Sequence, residues 1–405
     1  MRGEKHDMNS KKVISYENVF FLFFSVYELY NLLNITMFYK YLPQTMTTFF
    51  MLAAIGMVIL KFVYNTKCGY TEFAWTVVIV LAASMISYLS GYRGIVITFC
   101  LIIAAQNMSM DKIVKRYFAI SVTVMLITVL SSQIGLIENA VWTSAASGIV
   151  RYGFGYIYPT DFVSCVFFLV CAYIYLNREE DFNIVTFGAM IGIAYVTYKF
   201  CHTRLDSLCI IFAAFVYVLL KLRQGKALNQ ILKCASYISI PLFAFCSIYT
   251  TMIYDGTNPY MAGLNILLSN RLFYGKQGIQ NYGFSLFGQY VAMRGHSVKS
   301  ENAVGEWFYL DCSYLNIALR YGMICLIVVC ALLVFLIYRQ YQKGDRVVPA
   351  LIILIGINSM IAHHLFDGYT NIFLFAVLTN TSFCSEKKMT KLKIPKVCIG
   401  SKRIF

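Results

Sequence analysis

Stretches of roughly 20 apolar residues recur from one end of this chain to the other, each long enough to cross a bilayer as a helix. A soluble domain would carry about 25% charged residues; here 13% of 405 residues are charged and 59% are hydrophobic. The pattern predicts an all-α polytopic membrane protein. Twelve spans are expected, at 19–39, 44–64, 73–90, 94–107, 116–136, 156–176, 182–200, 205–222, 232–254, 313–338, 347–365 and 370–384. The fourth is short for a full crossing, which makes eleven the alternative. The first apolar run begins near Val19 and no small-residue cleavage site follows it, so no cleavable signal peptide is expected. Neither an internal repeat nor a soluble domain is visible, and residues 1–405 read as one multi-pass domain. The thirteen cysteines are scattered, mostly within apolar runs, with no CxxC pair, and read as small core residues.

The net charge of +15 is unevenly spread. With a cytoplasmic N-terminus, the inside segments hold 24 of the 34 Lys and Arg residues. That is the positive-inside pattern, and it places both termini in the cytoplasm. The basic tail at 385–405 becomes an orientation signal that can also touch anionic lipid; nucleic acid is not expected as a partner. The largest connection, 255–312, then lies outside. The cytoplasmic loops are too short for an ATPase or a cytosolic catalytic module, so activity is expected on the outer face.

Several arginines break the rule on that face. Arg93 (SGYRG), Arg151 (RYGFGYIYPTD), Arg204 (CHTRLDS) and Arg271 (LSNRLFYG) stand at or near external span ends. Arg320 is expected about two turns inside the tenth span, where an unpaired charge is costly. Asn258-Pro259 reads as an N-cap and first turn of a helix in the large loop. At 100° per residue, Met261, Leu264, Leu267, Leu268 and Leu272 form one stripe of that helix, and Arg271 falls on it. An arginine on a buried face needs an anion. No acidic residue lies near Arg271 in sequence, which suggests a ligand anion. The planar guanidinium suits phosphate, since it donates two parallel hydrogen bonds and stays charged. Most of the 31 tyrosines fit an aromatic belt. Tyr152, Tyr156, Tyr158 and Tyr274 could instead stack on sugars.

Candidate bases are few. Asp311 opens the tenth span, His363-His364-Leu365-Phe366-Asp367 closes the eleventh, and His202 and His296 fall in loops. The His-His pair four residues from an aspartate also resembles a metal site, but no further ligand is near in sequence and no metal is expected. Glu28 is a costly charge within the first span, with no partner evident from the sequence.

Four motifs in order, with this topology, resemble the O-antigen polymerase and ligase superfamily, specifically Wzy-type polysaccharide polymerases of Gram-positive bacteria. RYGFGYIYP resembles the family's arginine, glycines and turn, although Tyr158-Pro159-Thr160 departs from a His-Pro-Asn pattern. HTRLDSL resembles its Ser/Thr-Arg. LSNRLFYGKQGIQNYGFSLFGQ resembles its Ser-x-Arg segment followed by an apolar-Gly turn. DCSYLNIALRYGM resembles the closing motif of the large loop, where Asp311 stands in place of the ligase branch's histidine. HHLFDGYTNIFL is similar to a His-rich ending seen in Gram-positive polymerases. The resemblance covers roughly 150–375; the first third agrees only in hydropathy.

What the resemblance implies is a GT-C-like fold and metal-independent glycosyl transfer without a cofactor. A growing glycan on undecaprenyl pyrophosphate would pass to a new lipid-linked repeat unit on the outer face of the bacterial cytoplasmic membrane. Arg151, Arg204 and Arg271 match the family's arginines and would hold the pyrophosphate, with Arg93, Arg320 and Tyr158 as further substrate contacts. Asp311 ranks first as the base and His364 second. The implied partners are the lipid-linked oligosaccharide and membrane lipid, with a flippase and a chain-length regulator as candidates. The rival readings are a ligase, or a flippase or transporter of lipid-linked oligosaccharide. A flippase should show two similar halves and short external loops.

Overall fold

The structure, a computed structural model, describes residues 15–43, 45–64, 69–143, 148–222, 226–295 and 308–381. The basic tail and His296 lie outside the described residues. The chain runs as α1 (Tyr16–Asn34), α2 (Met46–Tyr64), α3 (Tyr70–Ser90), α4 (Gly94–Ala104), α5 (Met110–Gln133), the strands β1 (Val141–Thr143) and β2 (Val150–Tyr152), then α6 (Pro159–Leu176), α7 (Ile184–Cys201), α8 (Arg204–Lys221) and α9 (Lys226–Ile253). Two helices of the large loop follow, α10 (Pro259–Leu267) and α11 (Arg271–Tyr282). The chain ends with α12 (Ser313–Asn316), α13 (Met323–Gln342), α14 (Val347–Asn358) and a 3-10 turn at Ile372–Val377.

Among the described residues, seven helices are long and apolar enough to cross a membrane: α2, α3, α5, α6, α7, the Gln230–Ile253 part of α9, and α13. The molecule is therefore an all-α, multi-pass membrane protein. Helix α8 coincides with an expected span but carries Arg204, Asp206 and Lys221, more charge than a simple lipid-crossing segment.

The short elements sit where the expected count of twelve breaks down. Helix α4 has 11 residues, about 16 Å of length, and is enclosed by protein from Ile95 to Ala104. The described part of the 370–384 run, to residue 381, is not a spanning helix: Ile372–Val377 makes only a 3-10 turn with every side chain buried. It is held by Arg339, which donates to the Val377 carbonyl, and by Gln340 Nε2, which donates to the Ala376 carbonyl at 3.0 Å. Both elements spend their apolar surface on protein, so a long apolar run need not mean a lipid crossing.

The expected tenth span is also broken. A π turn at Ile317–Tyr321 follows α12, and Gly322 (φ 94°) separates it from α13. Arg320 therefore lies at a discontinuity, not two turns inside a helix. Backbone groups freed at such depth must find partners. Residues 285–289 of the large loop supply them: Met323 N donates to the Ser285 carbonyl at 2.9 Å, Ile324 N to Leu286 at 3.2 Å, and Gln289 N to the Arg320 carbonyl at 3.0 Å. Gly288 and Gly322 allow this approach. A Cβ on Gly322 would stand 2.4 Å from the Leu286 oxygen, and one on Gly288 2.8 Å from the Arg320 oxygen.

Candidate functional site

At one end of the bundle, the C-termini of α7 and α14 adjoin the start of α8, the loop helices and the turn at 359–371. Asn258 caps α10 as its sequence suggests, accepting from Tyr260 N and Met261 N at 2.9 and 3.3 Å. The helix does not continue through Arg271. Ser269 and Asn270 adopt left-handed φ values of 55° and 63°, and Arg271 begins α11. The expected stripe is thus split, and Leu267 is exposed while Leu272 is buried.

Arg271 also has a protein anion. Its Nη2 lies 3.5 Å from Asp311 Oδ2, while Nε donates to the Ile361 carbonyl at 2.6 Å and Nη1 to the Leu268 carbonyl at 3.1 Å. The partner that seemed missing comes from forty positions downstream. Asp311 does not cap the following helix, whose N-cap position is Cys312, without a side-chain cap. Burial pushes the Asp311 carboxyl above its usual range, opposed first by Arg271 and then by His364. Although protein surrounds it, its side chain keeps 40% of its surface accessible, against 14% for Arg271. The carboxylate lines an opening and does not fill a core position.

Ser313 fixes Asp311 against the histidine turn. Its amide donates to the Ser359 carbonyl at 2.9 Å, its hydroxyl to the Ala362 carbonyl at 2.6 Å, and it accepts from Leu365 N at 3.1 Å. Asn371 Nδ2 donates to the Leu365 carbonyl at 2.8 Å, and Gly368 N to Thr98 Oγ1 at 3.2 Å, tying the turn to α4. His364 is buried, with Nδ1 3.5 Å from Asp367 Oδ2 and its ring 4.2 Å from that of His363. Tyr309 Oη lies 3.3 Å from His363 Nε2.

The structure thus joins Arg271, Asp311 and His364. It adds Asp206, which is buried and within electrostatic range of all three. Sequence reasoning passed over Asp206; the signal was an acidic residue two positions after Arg204 inside an apolar helix.

The other expected residues have contacts of their own. Arg151 Nε donates to the Cys201 carbonyl at 3.0 Å, and its guanidinium lies 5.3 Å from the Tyr158 ring. Arg204 and Arg93 are exposed, at the starts of α8 and α4. Arg320 stacks 3.9 Å from the Tyr92 ring centroid, and its Nε is buried without a hydrogen-bond partner among the described residues. Tyr156 is only 1% exposed, so it is core and not a sugar platform. Glu28 is fully buried, and neither carboxylate oxygen has a hydrogen-bond partner among the described residues.

A separate groove of about 840 Å³ runs between α9 and α13, walled by Tyr237, Ile248, Met252, Met323, Ala331 and Tyr338. It contains none of the ionisable residues above and is a lateral apolar furrow.

Fold and site together define a helical membrane protein with an ionisable cluster at one end of its bundle. Comparison with known proteins takes the identification no further: no family model, no curated protein and no solved structure matches the chain.

Proposed function

We propose that this chain is a Wzy-type polymerase that joins undecaprenyl-pyrophosphate-linked repeat units into capsular or exopolysaccharide on the outer face of the bacterial cytoplasmic membrane. The observation that carries the reading is the meeting of Arg271 and Asp311. They belong to two separate motifs of the resembled family, and they meet beside His364 of a third.

In this reading Asp311 takes the proton from the acceptor hydroxyl as that oxygen bonds to the anomeric carbon of the growing glycan. The bond from that carbon to the lipid pyrophosphate breaks, and the bonding pair leaves with the phosphate oxygen. Arg271 stabilises the developing charge, aided by Arg320, whose Nε is unpartnered. An arriving diphosphate competes with Asp311 for Arg271, so substrate binding would itself release the base. The apolar walls of the groove between α9 and α13 suit an isoprenoid tail.

Deletion of the gene in its host tests the assignment. The expected phenotype is single repeat units on lipid or wall with long polymer lost. Full-length polymer trapped on the inner leaflet would instead establish the transporter reading.

A further inference from the structure

Among the described residues, His363, His364 and Asp367 form one cluster of metal-competent donors. One ring nitrogen from each histidine and one carboxylate oxygen lie within 4.8 Å of one another. The sequence shows a pair and an aspartate; the turn gathers their donor atoms into one cluster. Two independent features separate this cluster from an accidental one. His364 keeps only 8% of its surface, and its Nδ1 is buried without a hydrogen-bond partner among the described residues. Its nearest acid, Asp367 Oδ2, stands at 3.5 Å, too long for a good hydrogen bond but suited to two ligands flanking one ion. The turn is also braced from outside the cluster, by Ser313 through Leu365 and Ala362 and by Thr98 through Gly368. The donors are held in place before any ion arrives.

The surrounding charge decides whether a cation could be accepted. Arg271 and Arg320 lie within electrostatic range of His363 and oppose it. Asp311 and Asp206 act on His364 in the opposite sense, and Asp367 belongs to the cluster. Three carboxylates against two guanidinium groups leave room for added positive charge. The Tyr309 hydroxyl, 3.3 Å from His363 Nε2, puts a further oxygen at the rim.

We propose that His363, His364 and Asp367 bind one divalent transition-metal ion of the zinc, cobalt or manganese type. Two imidazoles and a carboxylate are the ligand set such ions share, whereas magnesium and calcium prefer all-oxygen cages. Three protein ligands would leave coordination positions free, and Asp311 and Arg271 lie within electrostatic range of the histidines. The inference goes beyond the polymerase assignment and does not depend on it, since it concerns binding alone.

The test uses the full-length protein, purified in lipid nanodiscs through an affinity tag without histidines and stripped with a chelator. Titration with Co²⁺ should give one equivalent with visible d–d absorption, which Zn²⁺ displaces. Zn²⁺ should also raise the unfolding temperature of the stripped protein. His364→Gln, His363→Gln and Asp367→Asn should each weaken binding by at least about tenfold. Because the first measurement is on the unaltered protein, failure of a variant to fold does not blunt it. Absence of stoichiometric binding to the wild-type protein would overturn the proposal. So would equal binding by the three variants, which would mark the metal as adventitious. Loss of polymer on gene deletion with no metal bound would leave the polymerase reading standing and remove this one alone.

Discussion

Replacing Asp311 by asparagine separates a structural from a chemical role. Asparagine keeps the size and polarity of the side chain but removes the charge facing Arg271. At 3.5 Å, Coulomb's law with an effective permittivity of about 20 gives about 5 kcal/mol for the pair. Asp311 is 40% accessible, so screening reduces the net contribution to about 1–2 kcal/mol. Arg271 would keep its bonds to the Ile361 and Leu268 carbonyls, which limits the damage. The variant should therefore reach the membrane at near-normal level, with a modest loss of thermal stability in detergent. Polymerisation should fall about 10²–10⁴-fold, the usual effect of removing a general base. The assay is polymer length and amount on gels, from a deletion host carrying each variant. A double variant, Asp311→Asn with Arg271→Gln, removes both charges and should recover stability without recovering polymer. Polymer within about tenfold of wild type from Asp311→Asn would refute the base assignment and shift it to His364.

Three further outcomes are expected. The raised Asp311 pKa means that its charged, proton-accepting form is lost at a higher pH than for an ordinary carboxylate. Activity should thus fall on acidification through that raised midpoint, and Arg271→Gln, which removes the largest influence favouring the charge, should move the acid limb of residual activity further up. An unmoved limb would detach Asp311 from the profile. Gly322→Ala places a Cβ 2.4 Å from the Leu286 oxygen at φ 94°, and should cost about 2–4 kcal/mol, read as a lower unfolding temperature and reduced membrane level. Asp111→Asn strips Arg178 of its carboxylate where that side chain is 7% exposed, and should cost about 3–5 kcal/mol in the same measurement without changing the chain-length distribution of the remaining polymer.

Run length was readable from the sequence because it is a local property. The structural helices α2, α3, α6, α7 and α8 begin and end within about three residues of the expected spans. What failed was the distinction between lipid and protein as the partner of an apolar run. Residues 372–377 are as apolar as a span, yet α13 contributes Arg339 and Gln340 to hold them in a short buried turn. The site was half readable. Arg271, Asp311 and His364 were all singled out, but each for a separate reason. Their meeting depends on Asn270 breaking the loop helix and on Ser313 bracing the histidine turn. Neither event leaves a periodic trace. Asp206 was hidden because one acid near a helix start reads as ordinary first-turn chemistry.

The bundle also offers its own control for reading a buried arginine as functional. Near the opposite end, Arg178 Nη2 meets both Asp111 oxygens, at 2.9 and 3.0 Å. Its Nη1 donates to the Tyr175 carbonyl at 3.1 Å, and its guanidinium stands 4.4 Å from the Tyr175 ring. Tyr175 in turn donates to Asp111 at 2.7 Å. An arriving anion would have to displace Asp111, held at 2.9 and 3.0 Å, to reach that cation. Arg271 and Arg320 are held differently. Arg271 commits Nε and Nη1 to the Ile361 and Leu268 carbonyls and meets its carboxylate only at 3.5 Å, while Arg320 lies against an aromatic face with Nε unpartnered among the described residues. Burial of an arginine is costly at either end, and the carboxylate that offsets it is close at Arg178 and more distant at Arg271. A diphosphate brings more acceptor oxygens than Asp311 alone supplies and can meet both guanidinium groups in their planar geometry. The closer carboxylate at Arg178 and the longer one at Arg271, more than the number of arginines, support the proposed anionic substrate.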